Sequence, residues 1–363
     1  MNFLHKNIIS FEPRFFGLDL SDLSIKIFQV ERIGQIDRIR SFCSLPIARG
    51  NMEDGKIINK EKVAEIIKEA IRKAGPKKIN TRKVICSLPE SNIFLRVISI
   101  PKIGKEEAGE AIKWETEANI PLSIEEVYLD WQFLEDDPEN SPNKQSVLTV
   151  AVSKKVVDDF METLELSGLE VYDLEIESIA SARSLVSSAE KKENISLIVD
   201  IGAKRTSFIM VEGNVPCFTS SIPFSSENIN DAISKKMNIN EKEAEEIKVA
   251  FGIENYNKDN PIFNSIKYLL ENLVVEIEKT SDFYVVMSKT PKEIKKIILC
   301  GGGSNLKGIV DYLSQRLGKE VVLGDPLVNL NLEKKELDKI NKENCIGYAT
   351  VIGLAIKKTY YGY

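Results

Sequence analysis

Histidine is almost missing from this chain of 363 residues, with His5 the single example. A catalytic site built on a histidine base is therefore excluded, and so is a zinc centre, because no cysteine cluster takes histidine's place. The five cysteines, Cys43, Cys86, Cys217, Cys300 and Cys345, are odd in number and widely spaced. They suit neither a disulfide framework nor a metal knuckle and read as small buried hydrophobes in a reducing compartment. No apolar run approaches the roughly 20 residues of a membrane span. An excess of positive charge is lacking too, since Lys+Arg 49 against Asp+Glu 55 leaves a net charge of −6. Binders that depend on phosphate neutralisation are usually basic, so no nucleic-acid partner is expected. The one basic stretch, Arg72-Lys73-Ala74-Gly75-Pro76-Lys77-Lys78, has no aromatic interleaving and reads as a solvated helix end. The opening residues MNFLHKNIISFEPRFF hold no continuous apolar segment of signal-peptide type, and the expectation is a cytoplasmic protein.

What is present places the chain among ordinary folded proteins. Hydrophobic residues make up 43% and charged residues 29%, which excludes a disordered tail-like polymer. At ~150 residues per domain, two to three domains are expected, with enough chain for a core that needs no staples.

The sequence repeats itself. Residues 15–31 read FFGLDLSDLSIKIFQVE and residues 196–212 read SLIVDIGAKRTSFIMVE. Setting Asp19 over Asp200 aligns the two without a gap and brings Val30-Glu31 onto Val211-Glu212. Each copy is an apolar strand ending in Asp, a short polar turn and a second strand, that is, a β-hairpin with a carboxylate at the end of its first strand. Such a turn aims consecutive backbone N–H groups and a hydroxyl at one point, an anion nest. A carboxylate beside it repels phosphate directly and favours it through Mg²⁺. Alone, each copy is equally well a tight turn at a sheet edge; in register, the pair suggests two related halves facing each other.

Two further elements follow. Residues 293–308, EIKKIILCGGGSNLKG, are an apolar strand, then Gly301-Gly302-Gly303-Ser304, then the start of a helix. Consecutive glycines let backbone approach a ligand closely, and a helix N-terminus beyond them favours a polar or anionic group. The spacing is neither that of a Walker loop nor that of GxGxxG. Before it, Ala244-Glu245-Glu246-Ile247-Lys248 lies on a helix opened by Asn240, with Glu243 three residues on as a capping-box partner.

Strand-Asp-turn, a second such hairpin, an A-E-x-I-K helix and strand-GGG-helix, in that order, resemble the actin-like ATPase superfamily. Within it the chain is similar to the PilM family of type IV pilus assembly proteins, relatives of the division protein FtsA. The residues that carry this are Gly17-Leu18-Asp19 through Ser24-Ile25-Lys26, Val199-Asp200-Ile201-Gly202 and Leu299 to Gly303. Glu115-Thr116-Glu117-Ala118-Asn119-Ile120-Pro121 followed by Val127-Tyr128-Leu129-Asp130 separates this family from other actin relatives.

The resemblance implies an α/β, actin-like (ribonuclease H-like) two-lobed fold with a small α+β subdomain inserted in the first lobe. The first-lobe core would comprise residues 1–84, 175–199 and 346–363, and the partner-binding insertion residues 85–174. The second-lobe core would comprise 200–226 and 291–345, with 227–290 as its outer subdomain. The patterning of the insertion agrees, with strands over 84–88, 93–100, 127–134, 147–152 and 169–175, helices over 105–119 and 155–166, and a polar hairpin loop over 135–143. The resemblance also implies a site for ATP and Mg²⁺. Asp19 and Asp200 would line the metal, and Ser24, Lys26, Gly202 and Thr206 would approach the phosphates. Glu245 and Lys248 would reach ribose and base, and Gly301, Gly302, Gly303 and Ser304 would floor the adenosine. Glu177 would orient water if hydrolysis occurs. One position departs from the family: Ser21 stands where it has glycine, and its Cβ restricts φ where backbone should approach phosphate. Nucleotide binding is expected, and turnover, at most a weak ATPase activity, stays open.

The implied partner is the N-terminal cytoplasmic peptide of a PilN-like membrane protein, in a groove between the first-lobe core and the insertion, together with other components of the pilus platform. The membrane would be reached only through these partners, at the inner face of the cytoplasmic membrane. Helix 105–119 offers Ala108, Ala111, Ile112, Trp114 and Ala118, read mainly as core against the insertion's sheet. The role expected is a nucleotide-binding scaffold. An FtsA-like filament former is the alternative, and Ile356-Lys357-Lys358-Thr359-Tyr360-Tyr361-Gly362-Tyr363 shows no amphipathic membrane tail for it. A sugar or acid kinase of the same superfamily would need a distinct substrate signature, and none is visible.

Overall fold

The computed structural model describes residues 14–120, 122–134, 143–191, 194–254, 256, 259–287, 293–340 and 345–357. His5, residues 135–142 of the loop expected over 135–143, and residues 358–363 lie outside them.

The strands are β1 (Phe16–Ser21), β2 (Ser24–Ile33), β3 (Ile36–Pro46), β4 (Met52–Glu53), β5 (Lys56–Ile57), β6 (Gly75–Pro76), β7 (Lys83–Leu88) and β8 (Ile93–Pro101). They continue with β9 (Val127–Phe133), β10 (Lys144–Ser153), β11 (Glu170–Ile176), β12 (Ile195–Ile201), β13 (Thr206–Glu212), β14 (Val215–Ile222), β15 (Ile294–Cys300) and β16 (Glu320–Leu323). The helices are α1 (Lys60–Lys73), α2 (Lys105–Glu117), α3 (Lys154–Leu166), α4 (Glu177–Leu185), α5 (Ser226–Met237) and α6 (Glu241–Phe251). After them come α7 (Pro261–Met287), α8 (Ile309–Leu317), the single turn α9 (Lys334–Leu337) and α10 (Ala349–Ala355).

The first sheet has the order β11-β7-β1-β2-β3-β6. Its centre is β1, parallel to β7 on one side and antiparallel to β2 on the other. That position explains why Phe16, Leu18 and Leu20 are all fully buried. The β4–β5 hairpin turns through Asp54 at φ 49° and Gly55 at φ 74°, the positive pair that a two-residue hairpin of type I′ needs. In α1 the Asn59 side chain accepts from the Lys62 N–H, and Val63, Ala64, Ile67 and Ala70 form the buried stripe.

The second sheet runs β16-β15-β12-β13-β14-β8-β10-β9. Its β12–β16 half carries α5, α6, α7 and α8, whose apolar faces share one core with Leu197, Val199, Phe208 and Leu299. Its β8-β10-β9 half belongs to the insertion, and the two halves meet through the single pairing Phe218↔Arg96 between β14 and β8. Helix α2 covers the insertion's strands with Ala108 and Ile112, both fully buried, as the sequence suggested. Trp114, expected among the same core residues, points outward and is 71% exposed.

Strand pairing refines the insertion expected over 85–174. Its first and last strands, β7 and β11, lie in the first sheet, Cys86 aligning with Leu18 on one side and Leu174 on the other. Helix α3 packs Phe160 and Leu164 into the same core as Val63 and Ile67 of α1. What leaves the lobe is β8, α2, β9 and β10. The period-2 pattern of β7 identifies a strand but not its neighbour, so residues 85–88 look no different from those that follow them.

Helices α4 and α10 lie between the sheets. Ala182, Leu185 and Ala349 face β12 and β15, whereas Leu354 and Ala180 meet Ile85. Among the described residues, no helix is long and apolar enough to cross a membrane.

Candidate functional site

The cleft between the two sheets has a volume of about 440 Å³ and is lined from both lobes. Its symmetry is that of the sequence repeat. Asp19, Ser21, Asp22, Ser24 and Lys26 of the first hairpin line it. So do Asp200, Gly202, Ala203, Arg205 and Ser207, which the gapless alignment places opposite them one for one. The ladder explains why. Asp19 pairs with Lys26 across β1–β2 as Asp200 pairs with Ser207 across β12–β13, so each pair shares one face of its hairpin.

The same register removes Thr206 from the site. Thr206 corresponds to Ile25, and both are fully buried on the opposite face; the Thr206 hydroxyl donates to the Phe224 carbonyl at 2.9 Å. The resemblance placed Thr206 among the phosphate contacts, where the register brings Ser207, the counterpart of Lys26, to the cleft face. Ser304 is displaced likewise: its hydroxyl is buried and bonded to the Cys300 carbonyl. Lys248 stands behind the lining, its ammonium donating to Ser226 Oγ and to Glu245 Oε2, each at 2.7 Å. Glu245 itself lines the cleft, on a helix whose Asn240–Glu243 capping box is formed as expected.

On the first-lobe side Asp19 is held by Lys26 and by Ser87, which the sequence did not single out. Ser87 Oγ donates to Asp19 Oδ1 at 2.9 Å and accepts from the Leu20 N–H at 3.2 Å. Lys26 Nζ stands 3.4 Å from Asp19 Oδ2 and donates to Ser24 Oγ at 3.1 Å. Ser21 and Ser24 hydroxyls are 3.0 Å apart, and Ser21 also donates to the Ser24 carbonyl. Among the described residues, the non-glycine positions with positive φ are Asp54 and Asn238. Ser21 is not one of them, so its turn has no backbone requirement for glycine, and its side chain joins the lining.

On the second-lobe side Gly301, Gly302 and Gly303 line the cleft as expected. Gly301 is at φ 81°, and nothing lies within 4 Å of the Cβ position at Gly302, which leaves that backbone open towards the cleft. The start of α10 adds Ile346, Gly347 and Thr350, residues legible in sequence only as a run of small and apolar side chains.

Four carboxyl groups share the floor: Asp19, Asp200, Glu177 and Glu90. Burial pushes the Asp200 carboxyl up to about 6, against the pull of Lys26 and with the help of Asp19. Burial also drives Glu177 well above the usual carboxylate range, reinforced by Asp19, Glu90 and Asp200. Glu90, which the sequence did not flag, is raised as well, again mainly by burial. A floor so short of positive charge favours a cation. Among the described residues no three ligating groups converge to hold a metal by themselves. Mg²⁺ does not require that, because it keeps much of its water and takes one or two carboxylates together with substrate phosphates. Asp19 and Asp200 form such a donor set, and the residues fit the ion.

Comparison with known proteins agrees with this architecture. A family model described as type IV pilus assembly protein PilM matches residues 17–359. The cell division protein FtsA of Enterococcus hirae is 22% identical over 353 residues, covering 85% of this chain and 78% of that one. Among solved structures, a PilM–PilN type IV pilus biogenesis complex superposes with a TM-score of 0.80 at 26% identity, covering 95% of this chain and 98% of that one. MreB 5 of Spiroplasma citri bound to AMPPNP superposes with a TM-score of 0.52 at 14% identity over 94% and 95% of the two chains. The fold is the actin-like one that the resemblance implied.

Proposed function

The chain belongs to the PilM family of type IV pilus assembly proteins, and from that premise we propose that it is a nucleotide-binding scaffold of the assembly platform. It takes ATP and Mg²⁺ between its lobes and the N-terminal peptide of a PilN-like membrane protein beside the insertion, and so works at the inner face of the cytoplasmic membrane. The observation that carries the nucleotide reading is the cleft lined by two hairpins in repeat register, with Asp19 and Asp200 on opposite lobes and the Gly301–Gly303 backbone on its floor.

The chain's own residues divide the work. Asp19 and Asp200 would hold Mg²⁺, which supplies neutralisation of phosphate charge. Ser21, Ser24 and Lys26 would meet phosphate oxygens from the first lobe, and Gly202 to Arg205 from the second. Gly302 lets its peptide plane approach the nucleoside, while Lys248 fixes Glu245 at the rim. Because the ligand touches both lobes, it favours the closed arrangement by its differential affinity for that state. Glu177, at the first turn of α4, would orient water where hydrolysis takes place.

For the peptide, a groove of about 550 Å³ lies on the first lobe between α3 and β11, lined among others by Arg82, Met161, Glu165, Leu169 and Val171. Its wall includes β11, which among the described residues is the terminal strand of the first sheet and offers its outer edge for an added strand. Apolar side chains would fill the groove beside Met161 and Leu169.

The test is thermal unfolding with and without Mg-ATP. Saturation at ~100 Kd stabilises by about 2.7 kcal/mol, a shift of several degrees for lobes of this size. Wild type should shift and Asp200→Ala should not. A folded wild type that does not respond rules out ATP as the ligand of this cleft.

A further inference from the structure

Glu90 is the least satisfied group of the floor. It is 8% exposed, and among the described residues neither carboxylate oxygen has a hydrogen-bond partner of normal geometry, although the Ser178 N–H and the Ser178 and Thr219 hydroxyls stand beside it as donors. Ser178 Oγ is also without a partner. A buried carboxylate without a well-formed hydrogen bond has room for a further partner.

The place of Glu90 in the chain adds to this. It opens the short turn Glu90–Asn92 that leads directly into β8, the first strand to leave the lobe. Its N–H donates to Glu177 Oε2 at 3.3 Å, which ties the turn to the start of α4. Thr219 lies on β14, next to Phe218, the one residue that pairs with β8. Arg96 of β8 stacks on Phe218, its guanidinium carbon 4.5 Å from the ring centroid. The insertion also returns to the lobe where β10 runs into α3, and Leu95 and Leu148 pack into the first-lobe core. Glu90 touches the outgoing turn and, through Thr219, the β14 edge.

We propose that Glu90 is a positioning residue that couples the cleft to the insertion: its carboxylate accepts hydrogen bonds from the water shell of a divalent cation–phosphate ligand, and the turn that carries it passes this occupancy to β8. The proposal rests on the nucleotide reading of the cleft. Empty, the cleft leaves Glu90 with only the Ser178 and Thr219 groups beside it. Occupied, it fixes the turn, and the fixation extends along β8 to α2.

Hydrogen exchange of the full chain with and without Mg-AMPPNP tests this, together with the melting temperature. In wild type, Mg-AMPPNP raises the melting temperature and slows exchange both in the cleft loops and over residues 93–117. In Glu90→Gln, at saturating Mg-AMPPNP, a reduced melting shift remains and the slowing over 93–117 falls by about fivefold. Glu90→Asp, which withdraws the carboxylate by one methylene, gives the same loss and guards against a fault peculiar to the amide. A merely structural role would change exchange over 93–117 with and without ligand alike. Wild-type protection of 93–117 in both folded variants overturns the proposal, as does a wild type that binds Mg-AMPPNP without protecting 93–117. A wild type with no melting shift overturns the nucleotide reading, and this inference with it.

Discussion

Gly301 lies against Asp200 so closely that a Cβ at position 301 would collide with the Asp200 carboxylate and stand 2.5 Å from the Ile201 carbonyl. The glycine is needed both for its φ of 81° and for this approach. Gly301→Ala should therefore lower stability by about 2–4 kcal/mol and abolish any Mg-ATP response. Chemical denaturation and a nucleotide titration on one preparation check both. Gly302→Ala, which meets nothing within 4 Å, is the control and should fold normally.

Asp200 makes the empty cleft weaker as pH rises. Its folded carboxyl titrates near 6, above its ordinary value of 3.8, because burial disfavours the charge. The folded state keeps this proton over a range where the unfolded chain has released it. The contribution to stability is thus complete below about 3.8 and is lost as pH rises through about 6. Asp200→Asn removes the charge. In nucleotide-free protein it should be more stable than wild type by an order of 2–3 kcal/mol at pH 7.5, with the gap closing towards pH 4. A flat difference across that range would show that Asp200 is not the group responsible.

Ser21 gives a subtler test. Glycine at this position would relieve no strain, because the turn does not use positive φ. It would remove the hydroxyl that bonds Ser24 Oγ and the Ser24 carbonyl. Ser21→Gly should cost about 0.5–1 kcal/mol and weaken Mg-ATP binding rather than improve it. Tighter binding in the variant would show that the serine impairs the site.

Which residues were legible follows from how local their signals are. Asp19 and Asp200 stand near the ends of largely apolar strands and Gly301 directly follows one, breaks in pattern visible in a few residues. The α6 capping box is local too, Asn240 and Glu243 being a single turn apart. Ser87 and Glu90 carry no such mark. Ser87 matters because β7 lies parallel beside β1, a contact between residues 68 apart. Glu90 matters because the turn after β7 opens onto the cleft. Thr206 failed for the opposite reason: its chemistry suited the site, but pleat parity put it on the wrong face. The repeat held the correct answer, since Thr206 aligns with Ile25, a core residue. Periodicity therefore decides where residue type alone misleads.

Arg49 spans the mouth of the cleft. Its guanidinium reaches from the first lobe to Glu227 at 2.8 Å and Glu241 at 3.2 Å, in the first turns of α5 and α6. Arg205 and Asp54 approach to 3.9 Å across the same gap. Exposed pairs add little to folding, because water and salt screen them. Across a closing cleft, however, they act only in the closed state, and so bear on how long a ligand stays rather than on whether the chain folds. Arg49→Ala should leave the melting temperature of nucleotide-free protein almost unchanged and speed nucleotide release by about threefold at low salt. Raising salt should speed release from wild type towards the variant's rate and leave the variant nearly flat. Stopped-flow displacement of a fluorescent ATP analogue at two ionic strengths measures this. If wild type and Arg49→Ala release it with the same salt dependence, these pairs do not hold the lobes together.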